Sequence, residues 1–130
     1  MKTIERKKYL ERIIELNGTP DIKIITGIRR SGKSKLMQAY IGYLEEYYEN
    51  INIIFIDFMD LAYEGLKEYH ALHTYAEEHY QKGKINYLFV DEVQMCPQFE
   101  LAINSLYSKG KYDIYITGSN AFLLSADLAT

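Results

Sequence analysis

Gly27-Ile28-Arg29-Arg30-Ser31-Gly32-Lys33-Ser34 decides how the chain reads. The stretch fits Gly-x4-Gly-Lys-Ser, the phosphate-binding P-loop pattern. It lies between a β-branched run, Ile22-Lys23-Ile24-Ile25-Thr26, and a helical periodicity, the context that pattern requires. Glycine at 27 and 32 lets a loop turn its N–H groups inward around phosphate oxygens, and the N-terminus of the following helix adds partial positive charge. Lys33 then reaches the β- and γ-phosphates, and the Ser34 hydroxyl ligates Mg²⁺. Two glycines, a lysine and a serine at this spacing arise by chance in roughly one chain of this length in a few hundred.

Upstream, Thr3 to Leu16 reads as a helix stopped by Asn17-Gly18 before Pro20. Downstream, a long helix carries Leu36, Met37, Tyr40, Ile41, Leu44, Tyr47 and Tyr48 on one face. Ile51 to Asp57 is an apolar run of strand length, a helix is predicted from about Leu66 to Lys82 before Gly83, and Tyr87 to Val90 is a further buried strand. Phe99, Ala102, Ile103, Leu106 and Tyr107 share a helix face closed by Gly110, and Tyr112 to Thr117 is the fourth strand. Short strands alternating with helices predict an α/β fold with a parallel sheet covered on both faces, the three-layer sandwich of P-loop nucleotide-binding domains.

The 130 residues amount to one domain, with 48% hydrophobic and 25% charged residues, so neither a disordered nor a fibrous chain is expected. No apolar run approaches the 18 or so residues of a membrane span, and the start of the chain lacks the apolar stretch of a signal peptide. A cytoplasmic protein without membrane contact is expected. The single Cys96 excludes an internal disulfide and has no His or Asn arrangement beside it that would make it a nucleophile. The net charge of −3 hides an asymmetry, because residues 1–40 carry 10 basic and 4 acidic side chains, whereas residues 41–80 carry 1 and 9. Arg29, Arg30, Lys33 and Lys35, in or beside the loop, supply 4 of those 10 basic charges, so a triphosphate accounts for much of the block better than DNA does. Backbone direction decides whether Arg29 and Arg30 face phosphate.

The second strand tip with chemistry is Tyr87-Leu88-Phe89-Val90-Asp91-Glu92. Two carboxylates at the C-terminal end of an apolar strand stand at the edge where an α/β sheet binds ligands. Asp91 fits the Walker B role of holding Mg²⁺. Glu92 is placed to polarise an attacking water as general base, with Gln94 near enough to support it. The third tip is Thr117-Gly118-Ser119-Asn120, where Asn120, or secondarily Ser119, would hydrogen-bond the γ-phosphate or the water. Ser119 or Asn120 as the cap of a helix over 121–124 is an equal reading. Asp57 and Asp60 also lie toward this edge, with a loop role at least as well supported. His70, His73 and His79 sit among glutamates and read as a solvated face.

An adjacent Asp-Glu pair favours an ATPase over a GTPase, which would show Asn-Lys-x-Asp, and over a kinase with an arginine-rich lid. Taken together, Ile24 to Ser34, Leu88-Phe89-Val90-Asp91-Glu92-Val93-Gln94 with Pro97, and Ile116 to Asn120 resemble a prokaryotic family of AAA-type ATPases. In that family an N-terminal AAA domain precedes a C-terminal domain that is often nuclease-like in fold. The resemblance spans almost the whole chain, and the paired arginines and Asp-Glu-x-Gln are its most specific parts. It implies ATP and Mg²⁺, with Gly27, Arg29, Arg30, Ser31, Gly32, Lys33, Ser34 and Lys35 around the nucleotide. It also implies Ser34 and Asp91 at the metal, Glu92, Lys33 and Asn120 in catalysis, and Asn120 or Ser119 as first sensor. The sensor strand is expected between the Walker A and Walker B strands. A Gly-Arg segment, a fifth strand and a second sensor are missing from the pattern, so residues 1–130 are expected to be an incomplete domain. Such a piece would bind ATP or ADP with weak or no hydrolysis, its arginine finger coming from a neighbouring subunit. A nucleotide-gated switch acting on an attached domain is the alternative.

Overall fold

The computed structural model describes residues 2–26, 30–119 and 128, with side chains for 8–26, 32–119 and 128. Helix α1 (Lys2–Glu15) leads into β1 (Lys23–Ile25), α2 (Arg30–Tyr47) and β2 (Ile51–Asp57). Next come a 3-10 helix (Leu61–Leu66), α3 (Tyr69–Glu78), β3 (Ile85–Asp91), a 3-10 turn (Val93–Met95), α4 (Phe99–Ser108) and β4 (Tyr112–Thr117). The four strands form one parallel sheet in the order β1-β4-β3-β2, so β4 lies between the strand before the phosphate loop and the strand ending in Asp91. The expected α/β sandwich and strand order are both present.

Right-handed crossovers explain which helix covers which face. From β1 the chain jumps across the sheet to β2, then steps back through β3 to β4. The two directions put α2 on one face and α3 and α4 on the other. Strand alternation then divides the core. Leu88, Val90, Ile114 and Ile116 face α3 and α4, meeting Leu72, Ala76, Phe99, Ala102, Ile103 and Leu106. Tyr87, Phe89 and Tyr115 face α1 and α2, meeting Ile13, Leu36, Met37, Tyr40, Ile41 and Leu44.

Two expectations are corrected. The helix expected over about 66–82 is the shorter α3, Tyr69–Glu78, and it is preceded by the 3-10 helix Leu61–Leu66. Asp60 caps the 3-10 helix through Ala62 N, and Glu68 caps α3 through His70 N and Ala71 N, which sets the start of α3 past Leu66. Tyr47 and Tyr48 do not continue the buried face of α2, and Tyr47 is 66% exposed. The helix read over 121–124 lies outside the described residues.

The abundant tyrosines do more than cover half-buried helix faces. Tyr40, Tyr87 and Tyr115 are fully buried, and their hydroxyls are spoken for. Tyr115 Oη donates to Asp113 Oδ2 at 3.0 Å and shares a 2.8 Å bond with Tyr40 Oη, while Tyr87 Oη donates to Asn17 Oδ1 at 3.0 Å. Asp113 also takes the buried ammonium of Lys23 at 2.5 Å and the Gly18 N–H at 3.1 Å. Lys23 donates in addition to the Thr19 carbonyl. This polar cluster ties the turn after α1, β1, α2 and β4 together at the N-terminal end of the sheet, away from the ligand edge.

Burial holds the hydroxyls of Tyr40, Tyr87 and Tyr115 above their ordinary pKa of 10.0. The unfolded chain releases these protons near pH 10 and the folded chain only at higher pH. Above about pH 10 the unfolded state therefore binds fewer protons, and stability falls as pH rises. The slope approaches at most about 1.4 kcal/mol per pH unit for each such tyrosine. Denaturant titrations from about pH 9 to about pH 11 should show it. Tyr87→Phe should flatten the slope, and a variant with the native slope would contradict the assignment.

Candidate functional site

Strand parity builds the site. Asp91 continues the odd-numbered row of Tyr87 and Phe89, and Thr117 continues that of Tyr115, so both tips end on the face covered by α2. On α2, Lys33 precedes Met37, Tyr40 and Leu44 on the same core-facing stripe, which carries its side chain inward rather than to solvent. Lys33 is accordingly only 6% exposed.

The side chains meet at hydrogen-bond distance. Ser34 Oγ donates to Asp91 Oδ2 at 2.6 Å, and Thr117 Oγ1 donates to Asp91 Oδ1 at 2.5 Å. Lys33 Nζ donates to the Gly118 carbonyl at 2.8 Å and lies 3.8 Å from Glu92 Oε2. The backbone N–H of Glu92 donates to Thr117 Oγ1 at 2.9 Å. Ser34 and Asp91 present hydroxyl and carboxylate oxygens side by side, an all-oxygen donor set of the kind Mg²⁺ takes.

Glu92 is left-handed, with φ 56° and ψ 54°. Continued as strand, position 92 would project with Leu88 and Val90 toward α3 and α4. The left-handed residue instead brings its carboxylate to Lys33. A non-glycine residue in this region costs on the order of 1–3 kcal/mol and is characteristic of functional sites.

Of the residues singled out by sequence, Lys33, Ser34, Asp91 and Glu92 converge within one constellation. Gly32 lies in the first turn of α2, Lys35 is exposed, and Ser119 is exposed two residues past the end of β4. Gly27, Arg29 and Asn120 lie outside the described residues, and Arg30 and Ser31 are described as helical backbone alone. Thr117 joins the constellation although no motif singles it out. Its signal was a hydroxyl at the tip of β4, two residues after inward-facing Tyr115. Asp57 and Asp60 serve their own loop, accepting Met59 N and Ala62 N at 2.9 Å each. The three histidines go to separate partners, and among the described residues no three metal-ligating side chains converge. Cys96 is buried, and burial pushes its thiol up to about 11, consistent with an inert side chain.

A family profile described as an AAA domain matches residues 19–130. The chain belongs to this family. An AAA domain is a nucleotide-binding domain of ATPase type, and the edge just described is where such a sheet meets its ligand. The AAA domain is also 36% identical to an uncharacterised protein of Haemophilus influenzae, over 98% of this chain and 32% of that protein. It is 32% identical to an uncharacterised protein of Methanocaldococcus jannaschii, over 100% of this chain and 28% of that protein. The chain thus spans about a third of the length of these relatives. Among the described residues, no helix is long and apolar enough to cross a membrane.

Proposed function

We propose that this AAA domain binds ATP with Mg²⁺ and hydrolyses it, using the three strand tips and the first turn of α2. The observation that carries the reading is the convergence of the Lys33 ammonium, the Ser34–Asp91 oxygen pair and the Glu92 carboxylate at one sheet edge. Lys33 neutralises charge on the β- and γ-phosphates, and the backbone of 27–32 cradles the phosphates, as the motif requires. Bound Mg²⁺ would neutralise phosphate charge between these groups. Ser34 and Asp91 are its protein ligands in this reading, and Thr117 orients Asp91 by donating to its second oxygen. Glu92 takes the proton of the attacking water through the carboxylate oxygen nearest Lys33. Ser119 or Asn120 senses the γ-phosphate. An arginine of a neighbouring subunit supplies further positive charge in the transition state, which can be worth about 10³–10⁵ in rate.

Ser34→Ala and Asp91→Asn test the metal role directly. Titration of each variant with ATP in EDTA should give an affinity close to the native one. Addition of Mg²⁺ should strengthen ATP binding in the native protein and do so weakly or not at all in the variants. Native-like Mg²⁺ stimulation in both variants would remove Ser34 and Asp91 from the metal site.

A further inference from the structure

Gln94 lies two residues past Glu92, in the 3-10 turn that follows β3. Its Nε2 donates to Glu92 Oε1 at 2.7 Å. The amide's orientation follows from chemistry, because the reverse would set an acceptor against a carboxylate. Its other end finds nothing: Gln94 Oε1 is buried and without a hydrogen-bond partner among the described residues. A buried acceptor left unpaired costs stability. Among the described residues the amide's side-chain partner is the Glu92 carboxylate.

The backbone fixes where that amide sits. Gln94 is the middle residue of the 3-10 turn that follows Glu92, closed by Met95 N to Glu92 O and Cys96 N to Val93 O at 3.0 Å each. Val93 and Cys96 are wholly buried in the core under α3 and α4, so the turn has little freedom. Glu92 itself is held by its left-handed backbone and by its N–H bond to Thr117. Its carboxylate is then divided: Oε1 is tied to Gln94, and Oε2 is the oxygen 3.8 Å from Lys33.

We propose that Gln94 is a positioning residue that clamps one oxygen of Glu92, so that the other is presented toward the phosphate pocket. Glutamate has three side-chain torsions, and a left-handed backbone aims only the first bond. Without the clamp the carboxylate samples other rotamers, including ones turned from the water it must deprotonate. The inference rests on Glu92 acting as base in the proposed ATPase reaction. Gln94 acts through Glu92 and is not itself a catalytic residue.

The test is steady-state ATP hydrolysis and thermal unfolding of the natural full-length protein carrying Gln94→Met, a side chain of similar length with neither donor nor unpaired acceptor. A fall in kcat of about 10- to 100-fold is expected, the scale on which small misplacements of reacting groups act, with KM for ATP nearly unchanged. The Tm should stay level or rise, since the unpaired acceptor is gone. A purely structural glutamine would give the opposite pattern, a lower Tm with kcat preserved in the folded fraction, and would overturn the proposal. In a Glu92→Gln background, Gln94→Met should cause no further loss, because the clamp then has no base to hold. An equal further loss there would also overturn it. If Glu92→Gln alone leaves turnover intact, the ATPase reading of Glu92 fails first. If Glu92→Gln abolishes turnover and Gln94→Met does not lower it, only the clamp fails.

Discussion

Glu92→Gln in the natural full-length protein is expected to lower ATP turnover by about 10²- to 10⁴-fold, the range that a positioned general base contributes. The substitution keeps size and leaves the backbone bond to Thr117 in place, since that bond uses the Glu92 N–H. What it removes is the ability to accept a proton at the oxygen 3.8 Å from Lys33. It also removes a negative charge from the neighbourhood of bound phosphates, so ATP affinity should hold or increase. Phosphate release measured at saturating ATP reads the first effect, and equilibrium titration reads the second. Undiminished turnover in the variant would take the base role from Glu92. A native protein that binds ATP tightly yet releases no phosphate would instead favour a nucleotide-gated switch, with the same edge serving to report nucleotide state.

Asp113→Ala is expected to destabilise the domain by about 3–5 kcal/mol, the cost of removing one partner of a buried ion pair. The Lys23 ammonium would remain buried with the Thr19 carbonyl as its other hydrogen-bond acceptor, and Tyr115 Oη and the Gly18 N–H would lose their acceptor as well. Against a total stability of roughly 5–15 kcal/mol for a domain of this kind, such a loss is severe. Urea unfolding reads it as a lower midpoint with a similar slope. A double variant, Lys23→Met with Asp113→Leu, should recover much of the loss because no charge is then left buried. If Asp113→Ala unfolds at the native midpoint, the cluster at the N-terminal end of the sheet is not what joins the turn after α1, β1, α2 and β4.

How far the sequence alone reached differs between the two ends of the sheet. At the C-terminal edge, Lys33, Ser34, Asp91 and Glu92 were legible because each sits at a fixed offset from a strand or helix boundary, and a phosphate pocket constrains both residue type and spacing. The sheet order followed from the resemblance, and handed crossovers account for the helix placement. The left-handed conformation of Glu92 was not legible, since nothing in Asp-Glu-x-Gln distinguishes a strand that continues from one that swings back toward α2. The Lys23–Asp113–Tyr115–Tyr40 cluster is not legible in the sequence for another reason. Its members are 90, 2 and 75 residues apart in the chain and meet only when β1 pairs with β4 and α2 lies across them. The start of α3 is hidden because Leu66 and Tyr69 extend the helical periodicity, whereas the capping carboxylate of Glu68 decides the boundary.

The central claim is that the convergence of Lys33, Ser34, Asp91 and Glu92 is a nucleotide site, and calorimetric titration of ATP with Mg²⁺ into the native protein and Lys33→Ala tests it most directly. One ATP per chain is expected in the native protein. Loss of the Lys33 ammonium, a charged donor buried at 6% exposure, should weaken binding by at least about tenfold, the scale of one charge-assisted hydrogen bond of roughly 1.5–3 kcal/mol. Lys33→Ala binding ATP as tightly as the native chain, or a native protein that takes up no ATP, would contradict the account.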